Sequence, residues 1–164
     1  MSVLVKICGV TTAVDAELAI ACGADLIGLN FYPPSPRYID RERAHKIREA
    51  IGPKAIVVGL FVNAARSHID ECRRALNLDM LQFHGDENES AIAGWPIKVI
   101  RALRVKAETS EQAYATSADY RLLDAFHPGL YGGTGQRLPG TSLIPGSVSR
   151  SYIGKTGTRS GGPM

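Results

Sequence analysis

The chain predicts an α/β fold of repeated β-α units around a parallel sheet, and three observations carry that expectation. Short apolar runs alternate with helix-period segments at a spacing of roughly twenty to thirty residues. Runs such as Ala55-Ile56-Val57-Val58-Gly59-Leu60-Phe61 lack polar alternation, which suits strands buried on both faces. With 164 residues, 45% hydrophobic and 21% charged, the chain has the makeup of one globular domain with a substantial core.

About six units follow one another. The expected strands are Leu4 to Cys8, Leu26 to Phe31, Ala55 to Phe61, Met80 to Phe83, Ile97 to Ala102 and Tyr120 to Leu123. In the first helix, near Asp15, Val14, Leu18 and Cys22 recur at i, i+4, i+8 as an apolar face closed by Gly23. Ala44, Ile47 and Ile51 stripe the second behind Asp40 as cap, and Gly52-Pro53 ends it. Ile69, Cys72 and Leu76 stripe the third, and Thr109 with Gln112 forms a capping box for the fifth.

Composition excludes several classes. No run of about 18 apolar residues exists and no basic, apolar and small-residue leader opens the chain, so the expected location is cytoplasmic with no membrane partner. Cys8, Cys22 and Cys72 are too few and scattered for a disulfide framework, and Cys22 and Cys72 read as packing on apolar helix faces. The net charge of +3 resides in Arg150, Lys155 and Arg159, which leaves residues 1–137 neutral. No basic stripe with interleaved aromatics argues for nucleic acid. His45, His68, His84 and His127 lack ligand-like spacing, so no metal is expected.

In a barrel of β-α units the carboxyl ends of the strands converge on one face, so residues that close each strand meet in space. Cys8, His84 and Asp124 close strands, and Arg37 lies on the loop after the second. Each also has a plain reading. A strand-end cysteine packs, an aspartate after two leucines caps, and an arginine on a proline-rich loop is solvated. Gln82 shares a strand face with His84, and the pair either lines the pocket or satisfies neighbouring loops. Gly132 and Gly133, within Gly132-Gly133-Thr134-Gly135, are a weak phosphate-loop signal on their own.

Taken together, Val5-Lys6-Ile7-Cys8-Gly9-Val10-Thr11, Ser35-Pro36-Arg37-Tyr38, Val58-Gly59-Leu60-Phe61-Val62-Asn63, Leu81-Gln82-Phe83-His84-Gly85 and Leu122-Leu123-Asp124 closely resemble the phosphoribosylanthranilate isomerase family of tryptophan biosynthesis. The resemblance runs from about Val3 to Arg137. It implies a (β/α)8-barrel, here incomplete at the carboxyl end. It further implies Cys8 as general base, Asp124 as general acid and Arg37 as the holder of the anthranilate carboxylate, while His84, Gln82, Gly132 and Gly133 stay candidate substrate contacts on the residue-level signals above.

The family's reaction is an Amadori rearrangement of N-(5-phosphoribosyl)anthranilate, an aldose-to-ketose isomerisation. An acid protonates the furanose ring oxygen so that the ring opens to a Schiff base, and a base then removes the proton on ribose C2. The resulting enolamine tautomerises to the ketose, 1-(o-carboxyphenylamino)-1-deoxyribulose 5-phosphate. A carboxyl group suits the first role if its proton is held more tightly than usual, and a thiolate suits the second if its proton is held less tightly. Substrate electrons are only redistributed, so no cofactor is implied.

From Leu138 the character changes, with 17 of the last 27 residues being Gly, Pro, Ser or Thr. The expected organisation is a partial isomerase barrel over 1–137 and a divergent tail over 138–164, largely loop or disorder. The traces Ser142-Leu143-Ile144-Pro145 and Tyr152-Ile153-Gly154 are too faint for the two strands that would close the barrel. The expected consequences are unpaired backbone edges on the first and sixth strands, loss of the phosphate anchor, and turnover lowered by orders of magnitude. An alternative follows from the same edges: a non-catalytic barrel fragment that self-associates or pairs with a partner. A different phosphosugar enzyme on the same barrel is disfavoured by Ser35-Pro36-Arg37, since most such enzymes bind no anthranilate carboxylate.

Overall fold

A computed structural model of the chain describes residues 4–105, 115–125 and 152–155. The elements run β1 (Lys6–Cys8), α1 (Ala13–Ala21), β2 (Leu26–Asn30), α2 (Arg41–Ile51), β3 (Ile56–Phe61), α3 (Arg66–Ala75), β4 (Met80–Phe83), α4 (Glu89–Ile92), β5 (Lys98–Val105), β6 (Tyr120–Ala125) and β7 (Tyr152–Lys155). The strands form one sheet in chain order, parallel from β1 to β6, in a curled half-barrel. This is the expected α/β architecture, with helices on the outer face of a parallel sheet.

Strand parity sorts the apolar side chains into two layers. Ile27, Leu29, Val57, Phe61, Leu81, Phe83 and Val99 point outward and pack beneath the helices, against Ala16, Ala44, Ile47, Ile51, Ile69, Cys72 and Leu76. Leu26, Val58, Met80, Ile100, Ala102 and Leu122 point inward and fill the concave side. Burial on both faces is why these strands read as unbroken apolar runs.

Register is set at the amino ends of the odd strands by a repeated device. The residue just before each even strand is an aspartate, and its carboxylate accepts the entering N–H of the strand before it. Val5 N donates to Asp25 Oδ2, Val57 N to Asp79 Oδ2 and Val99 N to Asp119 Oδ2, each at 2.8 Å. Those amides lack a partner in the ladder at that level, so the carboxylates satisfy them.

The helices follow their sequence signals in most respects. Thr12 caps α1 by accepting from Asp15 N at 3.1 Å, while its hydroxyl donates to Asp15 Oδ2 at 2.7 Å. Asp40 caps α2 through Arg43 N at 2.8 Å, and Gly52 ends it with φ 53°. In α3, Ile69 and Cys72 are buried as expected, and Leu76 closes the helix from within the core. The capping box expected at Thr109 and Gln112 lies outside the described residues.

Two expectations are corrected. The apolar face assigned to α1 is outward: Val14 is 72% and Leu18 61% exposed and Cys22 is exposed, whereas Ala16 is fully buried. The helix packs through its small side, and among the described residues no element covers Val14 and Leu18 beside the edge strand β1, where Val5 and Ile7 are exposed too. The second correction concerns the sixth strand, whose edge is paired. β7, from the segment expected to be loop, runs antiparallel to β6 in the register Leu122↔Ile153 and Arg121↔Gly154. Backbone pairing needs no apolar periodicity, so a Gly- and Ser-rich context did not preclude it.

No helix among the described residues is long and apolar enough to cross a membrane. Two stability predictions follow. Ile47→Ala, at a site 1% exposed, is expected to cost about 2–5 kcal/mol in denaturant unfolding, and Leu18→Ala to stay within about 0.5 kcal/mol. Asp79→Ala is expected to cost about 1–3 kcal/mol by leaving the N–H of fully buried Val57 without its acceptor.

Candidate active site

The site is built at the carboxyl end of the sheet, and its centre is the end of β1. Cys8 pairs with Gly28 across the ladder, and both face the concave side. Gly28 leaves a gap there: a Cβ at that position would lie 2.9 Å from Cys8 Sγ and 2.9 Å from Lys6 Nζ. Gly9 follows with φ +78°, a left-handed conformation that favours glycine, and its N–H donates to Gly28 O at 2.8 Å.

Arg37 occupies the space that Gly9 leaves open. A side chain at residue 9 would meet Arg37 Cδ, Nη1 and Nε at 2.7–2.9 Å, and Nη1 donates to the Cys8 carbonyl at 2.9 Å. The guanidinium therefore lies against the Cys8-Gly9 peptide, with the rest of its exposed fork available to an anion.

Asn30, at the end of β2, organises the loop that carries Arg37. Its Nδ2 donates to Ser35 Oγ at 2.9 Å, and its Oδ1 accepts from Tyr32 N at 2.9 Å. Ser35 Oγ also accepts from Arg37 N at 3.2 Å, and the backbone of Asn30 bridges to Tyr38. Asn30 is 6% exposed, and both hydrogen-bonding atoms of this buried amide are spent on the loop.

On β4 and just beyond it, Gln82 and His84 are both buried and lie side by side, as expected from their shared face. Gln82 Nε2 and His84 Nδ1 lie 3.2 Å apart, within hydrogen-bond reach. Gln82 Oε1 is buried with no hydrogen-bond partner among the described residues. The loop after His84 is fastened by Glu87, which accepts from Asn63 N at 2.7 Å and from Gly85 N at 2.9 Å. Arg101 Nη1 donates to the Glu87 carbonyl at 2.6 Å.

Asp124 lies one residue from the end of β6, paired with Arg104 and two residues beyond inward-facing Leu122. Its backbone is thus at the carboxyl end of the sheet, as Cys8 is on β1. Gly132 and Gly133 lie outside the described residues. Among the described residues, no group of three or more His, Cys, Asp or Glu is arranged to hold a metal ion.

Lys6, Asn30 and Glu87 were not anticipated from the sequence. An asparagine closing the otherwise apolar Leu26-Ile27-Gly28-Leu29-Asn30 is a visible signal for a buried polar anchor. Lys6 has the period-two spacing that puts it on the face of Cys8. Glu87 gives no signal, because its role depends on two loops meeting.

Comparison with known proteins bears on the family and the fold. The family model for N-(5'phosphoribosyl)anthranilate (PRA) isomerase matches residues 5–154, beyond the limit at Arg137 expected from motifs and into β7. N-(5'-phosphoribosyl)anthranilate isomerase of Pseudomonas fluorescens (strain Pf0-1) is 44% identical over 151 residues, which cover 90% of this chain and 74% of that protein. The phosphoribosyl anthranilate isomerase structure from Thermus thermophilus superposes with a TM-score of 0.75 at 32% identity, over 84% of this chain and 68% of that one. Another isomerase structure, a complex with reduced 1-(o-carboxyphenylamino)-1-deoxyribulose 5-phosphate, has a TM-score of 0.65 at 34% identity, covering 76% of this chain and 66% of that one. By family model, sequence and fold alike, the chain belongs to the N-(5'-phosphoribosyl)anthranilate isomerase family.

Proposed function

We propose that this chain catalyses the Amadori rearrangement of N-(5-phosphoribosyl)anthranilate in the cytoplasm. The observation that carries the reading is the seating of Arg37 on the Cys8-Gly9 peptide, which sets a fork for a planar carboxylate beside a thiol. Few reactions need both. A substrate with an aromatic carboxylate and a sugar carbon bearing an acidifiable proton uses the pair at once.

In this mechanism Asp124 gives a proton to the ring oxygen as the C1–O bond breaks, and the anilino nitrogen's lone pair completes the Schiff base. Cys8 thiolate then takes the C2 proton, and the C2–H electron pair forms the enolamine double bond. Proton loss from the C2 hydroxyl and proton gain at C1 complete the ketose, with no net change in protons or electrons. Arg37 holds the carboxylate throughout. Buried Gln82 and His84 bound the sugar, and Gly132 and Gly133, outside the described residues, remain candidate substrate contacts. The division at 137/138 into isomerase domain and tail belongs to the same proposal, with β7 as a strand that the tail lends to the sheet.

The test is the loss of substrate fluorescence with time. Cys8→Ala and Asp124→Asn are each expected to lower kcat by about 10²–10⁴-fold with the fold retained, and rates equal to the parent would remove either residue from the mechanism. Arg37→Ala and Asn30→Ala are expected mainly to raise KM, because one removes the carboxylate fork and the other frees its loop.

One observation favours a second reading, self-association through β1. That strand has a partner on one side only among the described residues, and exposed Leu4, Val5, Ile7, Val14 and Leu18 flank it. Light scattering is expected to show a dimer that Ile7→Lys dissociates. A monomer at every concentration would overturn this reading and leave the isomerase proposal standing.

A further inference from the structure

The mechanism above leaves Lys6, a charged side chain on the face of Cys8, without a task. Lys6 and Cys8 alternate along β1, so both face the concave side, with Lys6 one pleat deeper. Its side chain extends towards Cys8, since Nζ and Sγ each lie 2.9 Å from the point that a Cβ on Gly28 would occupy. They are therefore no further apart than twice that distance, within the range where one charge alters the protonation of another. The only β2 residue between them is the one with no side chain.

Lys6 has no hydrogen bond or ion pair among the described residues, although it is half-buried. Lys98, also on the concave face, is engaged: its Nζ donates to Tyr120 Oη at 3.3 Å and lies 5.7 Å from the centre of that ring. An ammonium without a counter-ion, placed beside a thiol, favours the anionic sulfur.

We propose that Lys6 is a positioning residue for the base, stabilising the Cys8 thiolate, and that Gly28 provides the space in which the two meet. The inference rests on the reading of Cys8 as the general base. Other groups around Cys8 do not supply the same effect. Arg37, also a cation, donates from Nη1 to the Cys8 carbonyl and leaves the rest of its fork to the substrate carboxylate. From β2 the site is faced by Gly28 and Asn30, neither of which titrates. Asp15 on α1 accepts from the Thr12 hydroxyl, and Asp25 accepts from Val5 N at the far end of β1. Asp124 on β6 is the acid of the same reaction, and its proton leaves before the thiolate acts.

The experiment is alkylation of the full-length chain by iodoacetamide across a pH series, with each cysteine peptide quantified by mass spectrometry. Exposed Cys22 is the internal reference, and buried Cys72, whose thiol burial pushes up, gives the unreactive background. Lys6→Met and Lys6→Gln are expected to lower Cys8 alkylation at about pH 7 by about tenfold relative to Cys22 and to move its midpoint up by about one pH unit. Lys6→Arg is expected to restore most of the parent rate, and the acid limb of the kcat profile to move with the alkylation midpoint. An unchanged Cys8 midpoint in both neutral variants, with Cys22 still reacting as in the parent, would overturn the proposal. Full turnover by Cys8→Ala would instead end the general-base reading and leave the alkylation result intact, so the two failures are distinct.

Discussion

Three aspartate carboxylates, at Asp25, Asp79 and Asp119, tie the entering amides of β1, β3 and β5, and everything at the other end of the sheet depends on the register they help to hold. Side chains on a strand alternate with period two, so a slip of one residue would move each inward group outward. In the observed register Lys6, Cys8, Gly28, Asn30 and Gln82 all fall on the concave side. A slipped β1 would turn the thiol into the helix layer and bring exposed Ile7 into the site.

That register makes the absence of side chains as informative as their presence. At Gly28 the vacant position receives a sulfur from one residue and an ammonium from another, and at Gly9 it receives a guanidinium. At Gly85 it receives the carboxamide of Asn63, whose Oδ1 would lie 2.5 Å from a Cβ there and which accepts from Asp86 N. Each glycine stands at or near a strand's carboxyl end, where several side chains from different elements must approach one another. The site is thus assembled from polar groups that converge on gaps, over an inner layer of Leu, Val, Met and Ile that excludes water from below.

Much of this was legible before any coordinates. The six parallel strands were visible because burial on both faces leaves no polar alternation, and α2 was visible because Asp40, Ala44, Ile47, Ile51 and Gly52 all agree. Cys8, Arg37, Gln82 and His84 were placed by strand-end position and by motif, and they do gather at one end of the sheet. The stripe Val14, Leu18, Cys22 misled because periodicity reports an apolar face and not what covers it. β7 was hidden because its pairing lies in the backbone. Lys6 was hidden because its approach to Cys8 depends on the missing side chain at Gly28, a residue of another strand. Asp25, Asp79 and Asp119 repeat immediately before β2, β4 and β6, a periodic signal written in residues that otherwise read as turn punctuation.

The placement of those carboxylates also divides the molecule. Each belongs to an even strand and serves the odd strand before it, so β1 with β2, β3 with β4, and β5 with β6 form three couples joined to one another through backbone ladders. An architecture with this modulus gains or loses strands gracefully only in twos. Deleting a single β-α unit from within would leave either an amide without its acceptor or a carboxylate with nothing to grip, whereas excision of a whole couple would preserve every tie that remains.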